Sequence, residues 1–360
     1  MAEILARSLE KQGKREKIIP VFDAVSQIPL PGLMERMTFL KCLWLAHALG
    51  NPKQAHEILS RWQSYEEIED AHLLQLFLDL RGSSFSLLQR IAITNKIIKR
   101  SDSPLDKLQY SNLKTMLTIM LGEIDEAKEI HESALNTFFQ AAAEATDTGD
   151  AIFAALQCAA ALELQGILSG DKMNFERALT FLDKIAFDNL LPLGVARVLY
   201  EKGRLNWLKR DFARAAEYFS QSLKYDPQIL PIIYRMDSWA QLDDFERARA
   251  DLSAVRRHGI EKDYALEFLR GAATLAVRSG DVESARSVTE ELKELQLDIQ
   301  YFQIQRDELC IDLLEFASAP KKAGAWNRIC GLSNYLHLKP NIFGLGLNIN
   351  KFFERKHKGE

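Results

Sequence analysis

Small residues recur at a near-regular interval in the C-terminal half of this chain, each inside a segment with helical periodicity. Separated by 37, 33 and 37 residues, they are Ala178, Ala215, Ala248 and Ala285. In the unit from Leu199 to Pro227, Gly203 lies in a first helical pattern, and Ala215 and Phe219 share one face of a second. The alanine leaves room for a neighbouring helix, and the aromatic ring fills the adjacent space. The spacing predicts stacked helix–turn–helix units.

This pattern resembles the tetratricopeptide repeat (TPR) family, whose helix–turn–helix unit has a period of 34 residues. The resemblance rests on the alanine spacing, on the pair Ala215 and Phe219, and on the closing Pro227. It is clear over residues 105–295 and loose over residues 1–100. It implies an all-α fold, a right-handed superhelical solenoid of antiparallel helix pairs. A generic helical bundle with a chance run of small residues is the alternative.

The solenoid is predicted to span residues 1–320, with residues 83–104 as a divergent unit or an insertion, because the repeat residues are missing there. Residues 321–360 are expected to form a capping helix followed by an extended apolar and basic tail. The tail has a period of two, typical of extended chain, in Phe343, Leu345 and Leu347. It either folds back over the solenoid as a cap or docks into a partner or a second copy.

Polar residues before four of the predicted second helices are expected to be N-caps, since their side-chain oxygens accept hydrogen bonds from free backbone N–H groups. These residues are Asn174, Asp211, Asp244 and Asp281. A histidine in the second helix of an earlier unit, His131, occupies the aromatic position and is expected to be packed in the core. The cysteines lie in apolar helical patterns and are expected to be buried thiols: Cys42, Cys158, Cys310 and Cys330.

Signatures of catalysis and of metal binding are incomplete. His56 and His131 each begin an HExxH pattern, but Ser60 and Leu135 stand where the second histidine is needed. The cysteines form no CxxC pair, and no phosphate-binding or nucleophile-elbow motif occurs. We therefore predict no catalytic residue, no cofactor and no metal site. An enzyme with a dispersed active site on a helical scaffold is the weaker alternative.

Charge and hydropathy point to a cytoplasmic protein. The net charge of −4 gives no overall attraction to phosphate, so nucleic acid is not an expected partner. No apolar run reaches the length of a membrane span, and the N-terminus lacks the apolar region of a signal peptide. Unpaired thiols fit a reducing compartment. The oligomeric state stays open.

The TPR resemblance implies a concave groove, lined by the first helix of each unit, that holds a segment of another protein or a peptide. The lining predicted from it consists of Arg197, Tyr200, Arg204, Trp207, Ile233, Asp237, Arg270, Thr274 and Arg278. TPR domains that grip chaperone C-termini use Lys and Asn at set positions. Here Tyr200 and Arg204 stand where Lys and Asn would be, and Asp237 replaces an Asn, so that clamp is not predicted.

The function implied is that of a non-catalytic scaffold, adaptor or regulatory subunit that binds a partner segment in the groove. An alternative is a sensor, in which a ligand or peptide enters the groove and the solenoid changes conformation to control a partner. A charged, solvated face that binds nothing is the third interpretation.

Overall fold

The computed structural model describes residues 17–27, 85–144, 148–190, 192–260, 264–297 and 300–318, with isolated positions between 9 and 74. These ranges contain thirteen α-helices and a short 3-10 helix at Phe187–Asn189, and no strand. The α-helices are α1 (Ile18–Ser26), α2 (Leu87–Arg100), α3 (Pro104–Met120), α4 (Ile124–Glu144), α5 (Thr148–Ser169), α6 (Met173–Asp183), α7 (Pro192–Leu208), α8 (Phe212–Tyr225), α9 (Ile229–Gln241), α10 (Phe245–His258), α11 (Ala265–Ser279), α12 (Val282–Glu294) and α13 (Gln300–Ser318).

From α3 onward the helices form consecutive antiparallel pairs, each joined by a short turn. Within a pair, the first helix packs against the second: α3 on α4, α5 on α6, α7 on α8, α9 on α10 and α11 on α12. First helices of neighbouring pairs also pack together, as in α7 with α9 and α9 with α11. Each helix thus contacts mainly its neighbours along the chain, which is the arrangement of a solenoid.

Three consecutive pairs share one turn geometry. The residue before each cap has a positive φ, at Arg210 (67°), Asp243 (60°) and Gly280 (71°). The next residue is an aspartate whose Oδ1 accepts a hydrogen bond from a backbone N–H three residues on, at 3.3, 3.2 and 3.0 Å. The predicted N-caps Asp211, Asp244 and Asp281 are therefore confirmed.

The prediction that Asn174 is the fourth N-cap is wrong. Helix α6 begins at Met173, two residues earlier than the sequence pattern indicated, so Asn174 lies inside the helix and is buried. Its Oδ1 accepts a hydrogen bond from Nη1 of Arg177 at 3.3 Å. Asp171 takes the expected role instead, because its Oδ1 accepts from the backbone N of Met173 at 2.9 Å.

The predicted packing of the small and aromatic residues is confirmed. A Cβ atom at Gly203 in α7 would lie 2.6 Å from Cε1 of Phe219 in α8, so only glycine lets this ring approach. The same relation holds one pair earlier, where a Cβ atom at Gly166 would lie 2.5 Å from Phe175. Phe219 is fully buried and stacks on Tyr234 of α9 with a centroid distance of 5.6 Å.

The core also contains the residues expected to be inert. His131 is buried, and neither ring nitrogen has a hydrogen-bond partner in the described part of the chain; burial lowers its pKa to about 4. Cys158 and Cys310 are buried free thiols, as predicted, and Cys42 is buried too. Cys330 and the predicted tail residues Phe343, Leu345 and Leu347 lie outside the described residues.

Among the described residues, one helix is long and apolar enough to cross a membrane, the part of α5 from Ala151 to Ser169. About two thirds of it is buried inside the protein, where α5 packs against α3, α4 and α6. It is a core helix of the solenoid.

The contact of Gly203 with Phe219 gives a test of the packing. An open helical glycine replaced by alanine gains about 1 kcal/mol of stability from helix propensity. Gly203→Ala is expected to have the opposite sign and to cost roughly 1–3 kcal/mol, because the new methyl group collides with a buried ring. Urea unfolding measures the difference. In the double variant with Phe219→Leu the cost should largely disappear; an additive double variant would contradict the contact.

Candidate functional site

The first helices form one layer, and the side of that layer turned away from the second helices is called the inner face below. Gly203 of α7 contacts α8. Residues two positions apart on an α-helix are separated by about 200°, so Glu201 points away from α8. The ion pairs of Glu201 therefore lie on the inner face.

A buried cluster of four charges connects α5 to α7 on this face. Nη2 of Arg204 lies 2.5 Å from Oε2 of Glu163 in α5, and its Nε donates to Oε2 of Glu201 at 3.0 Å. Nη2 of Arg197 lies 2.6 Å from Oε1 of Glu201. Two guanidinium groups thus balance two carboxylates. The four side chains are only 7–17% exposed, so bulk water screens these pairs poorly.

The pKa values in this cluster reflect competition between burial and charge. Burial raises the pKa of Glu163 to about 7, although Arg204 opposes the change. Burial alone would raise the pKa of Glu201 as well, but Arg197 and Arg204 outweigh it and hold this pKa below its usual value. Burial alone would lower the pKa of Arg204, which Glu163 and Glu201 nevertheless keep well above its ordinary value.

A second cluster connects α7, α9 and α11. Nε1 of Trp207 donates a hydrogen bond to Oδ2 of Asp237 at 2.6 Å. The guanidinium carbon of Arg270 lies 4.8 Å from the centre of the Trp207 ring, a cation–π contact. Tyr234 packs edge-on against the same ring at 5.9 Å. Trp207, Asp237 and Arg270 are each 1% exposed, so this cluster is fully enclosed.

The predicted groove residues come together only in part. Trp207, Asp237 and Arg270 meet in the second cluster, and Arg197 and Arg204 share Glu201 in the first. Tyr200 lies between the two clusters, because the guanidinium carbon of Arg197 stands 5.6 Å from its ring centre and the Tyr234 ring lies 6.0 Å away. Tyr200 packs toward Phe219 of the second helix, the Thr274 hydroxyl donates to the backbone oxygen of Arg270, and Arg278 pairs with Asp243 beyond the end of α9. Ile233 is buried next to Gly271 of α11.

Most of the predicted lining is buried, whereas an open groove would expose it. In α11 the twelve consecutive residues Leu266–Val277 are all buried, and in α7 the seven residues Lys202–Leu208 are. Because 3.6 residues complete one turn, these runs are covered on every side. The helices that pack closely on α11 are its neighbours α9, α10, α12 and α13, so in the described part of the chain no helix packs closely across its inner face.

Sequence reasoning missed Glu163, Glu201 and Tyr234. Glu201 carried a readable signal, since it stands four residues after Arg197 and three before Arg204. Glu163 is the single charged residue in the segment from Ala151 to Ser169, and an isolated charge in an apolar helix points to a buried partner. Tyr234 carried no such signal, because an aromatic residue in a helical pattern is ordinary core.

A cavity of about 300 Å³ lies between α4, α5 and α6. Its walls are mostly apolar, and Nζ of Lys184 stands 4.9 Å from the Phe181 ring centre beside it. Cys158 also lines the cavity, but burial raises its pKa to about 12, which disfavours the thiolate needed for nucleophilic chemistry. Within the described residues, no three His, Cys, Asp or Glu side chains are placed to hold a metal ion.

The buried cluster predicts a large effect of one arginine. Arg204→Ala leaves the buried carboxylates of Glu163 and Glu201 with only one of the two guanidinium groups that balance them. The expected loss in the free energy of unfolding is about 3–5 kcal/mol. Arg214→Ala removes an exposed pair with the same three-residue spacing, to Asp211, and should cost about 1 kcal/mol or less. Chemical denaturation of both variants measures the difference. Equal effects would contradict the enclosed cluster.

Comparison with known proteins rests on structure. No protein-family model matches the chain, and no curated protein matches it significantly. Among solved structures, a Rap protein complexed with competence and sporulation factor superposes with a TM-score of 0.54 and 12% identity, covering 97% of this chain and 95% of that one. PilF of Pseudomonas aeruginosa gives a TM-score of 0.38 and 20% identity over 66% of this chain and 96% of its own, a likeness too weak to identify a shared fold.

A third structure extends beyond this chain. A signal transduction ATPase with numerous domains (STAND) from Pyrococcus horikoshii, which has a tetratricopeptide repeat sensor, matches with a TM-score of 0.51 and 11% identity. The match covers 97% of this chain and 53% of that protein, so the chain spans about half of its length. The helix pairs, the repeated turn and these likenesses together show that the chain has the all-α fold of a TPR-like repeat protein.

Proposed function

We propose that this chain binds a segment of another protein, or a peptide, on the inner face of α7, α9 and α11, and acts as a non-catalytic scaffold, adaptor or regulatory subunit. The observation that carries the proposal is the burial of α11 on every side, including Glu267 and Arg270, although none of the described helices packs closely across its inner face. Such a surface is suited to being covered by extended chain.

The chemistry of the inner face favours a polypeptide over nucleic acid. Its arginines are matched by the carboxylates Glu163, Glu201 and Asp237, so it lacks the excess positive charge that phosphate requires. Trp207 and Arg270, stacked on each other, are the residue types that contribute most to protein interfaces. The ionic groups bind one another, which suits positioning and recognition better than acid–base catalysis.

A sensor function is the second candidate, and the junction between α5 and α7 favours it. The first-helix pairs α3/α5, α7/α9, α9/α11 and α11/α13 pack closely, whereas α5/α7 is not among the closely packed pairs of the described part. One ion pair, Arg204 with Glu163, bridges α5 and α7. Helix α6 packs on α7 and adds the pairs of Asp183 with Lys202 at 2.8 Å and of Glu176 with Lys209. Where two first helices are joined by an ion pair and not by close packing, their angle can change when a bound segment alters the charges.

The fold neighbour Rap agrees with both candidates, because its structure contains bound competence and sporulation factor. A cytoplasmic location belongs to the proposal, since Cys158 and Cys310 are free thiols.

Quantitative affinity capture from the native cell tests the proposal. The tagged chain is compared with Thr274→Arg, which adds bulk to α11 at a predicted groove position, and with Ser287→Arg, which adds the same side chain at an exposed position of α12. We expect a specific partner to be lost with Thr274→Arg and retained with Ser287→Arg, because only the first variant obstructs the inner face. Circular dichroism and melting temperature confirm that both variants fold. A partner bound equally by all three chains would contradict an inner-face site.

A further inference from the structure

Two surfaces near the C-terminal end of the described chain differ in burial, and the difference indicates where the following segment lies. The inner face of α11 is buried. Helix α13, the last one described, instead exposes an apolar stripe consisting of Ile304 (50%), Ile311 (64%) and Leu314 (47%). These residues share one side of the helix, since they are seven and three positions apart. A segment that capped the end of the solenoid would bury this stripe.

We propose that the uncharged part of the tail, residues 342–349, lies on the inner face of α7, α9 and α11, in the groove that a partner segment would enter. This inference rests on the proposed function, which identifies the groove as the site where a partner binds. It adds that a segment of the same chain competes with the partner for that site. Helix α13, which precedes this segment, packs on α11 and α12.

The length of the connection permits this placement. Residues 319–338 connect Ser318 to the tail. With the expected capping helix over residues 321–338, at about 1.5 Å per residue, and two extended residues before it, this stretch spans roughly 34 Å. Neighbouring packed helices are about 10 Å apart, so crossing from α13 to α7 needs roughly 30 Å. The tail therefore reaches every first helix from α11 to α7.

The chemistry of the tail matches a surface whose charges are already balanced. Residues 342–349 contain no charged side chain, so they can cover the pairs of Arg204 with Glu163 and Glu201 without introducing an unpaired ion. Gly344 and Gly346 have no side chain beyond the backbone, which permits close approach to the helices. The larger residues alternate with these glycines, and in an extended chain such alternate side chains would project to one side: Phe343, Leu345 and Leu347.

The consequence is a self-occupied groove. A tethered segment is present at an effective concentration that is commonly in the millimolar range, so a partner must displace it before binding. Partner affinity would then be set by the tail as well as by the groove.

Binding of the tail in trans tests the proposal on the full-length chain. The probe is a fluorescent 22-residue peptide, residues 339–360, and its anisotropy is measured against the native chain and the variant Phe343→Asp/Leu345→Asp/Leu347→Asp. Because the native groove is already occupied, we expect the peptide to bind the variant at least about tenfold more tightly than the native chain. Equal affinity for both chains, or binding to neither, overturns the proposal.

Matched substitutions locate the bound peptide. Added to the triple variant, Thr274→Arg should abolish peptide binding, whereas Ser287→Arg and Ile311→Asp should not. Loss with Ile311→Asp alone would place the tail on α13 and overturn the proposal. A photoreactive benzoylphenylalanine at Phe343 of an otherwise native chain avoids destabilising substitutions. It should crosslink to residues 192–279, and crosslinks to residues 300–318 or to a second copy overturn the proposal.

The two proposals fail separately. If the peptide does not bind but a captured partner is still lost with Thr274→Arg, the groove binds partners and the tail lies elsewhere. If the peptide binds at Thr274 and partner capture is unaffected by Thr274→Arg, the tail occupies the groove and the proposed function is wrong.

Discussion

The close approach of the two helices in each repeat is the contact on which the rest of the structure depends. It exists because Gly203 lacks a side chain where the ring of Phe219 enters, and Gly166 makes the same room for Phe175. The ring then stacks on Tyr234 of the next repeat, so one missing side chain fixes both the pair and the step to its neighbour. In these two repeats the contact holds the first helix close against the second, and Gly271 of α11 makes room for Met236 of the neighbouring first helix α9.

The same layering concentrates charge where water is scarce. Glu163, Glu201 and Arg204 lose hydration on folding, and their mutual attraction offsets that loss only while the pairs stay enclosed. A covering segment therefore stabilises the cluster as well as binding to it. This reciprocity connects stability with function, since whatever covers the inner face, the tail or a partner, also determines how strongly the α5–α7 junction is held.

Much of the fold was predictable from the sequence, and little of the site was. The alanine spacing and the aspartate caps are local features, so they identified the repeat and its turns. The TPR resemblance placed Arg204 and Trp207 on α7, the helix that contributes to both clusters. Burial was not predictable, because whether a side chain on the inner face meets water depends on what lies across the layer. The partner of Arg204, Glu163, is 41 residues away and could not be assigned by spacing.

The central claim is that extended polypeptide covers the inner face, and hydroxyl-radical footprinting of the intact chain tests it most directly. Oxidation of Arg204, whose side chain is 10% exposed on the inner face, is compared with that of Arg214, whose side chain is 68% exposed on α8. We predict that Arg204 is oxidised far more slowly than Arg214 in the native chain and becomes reactive in the Phe343→Asp/Leu345→Asp/Leu347→Asp variant. Rapid oxidation of Arg204 in the native chain would contradict the claim.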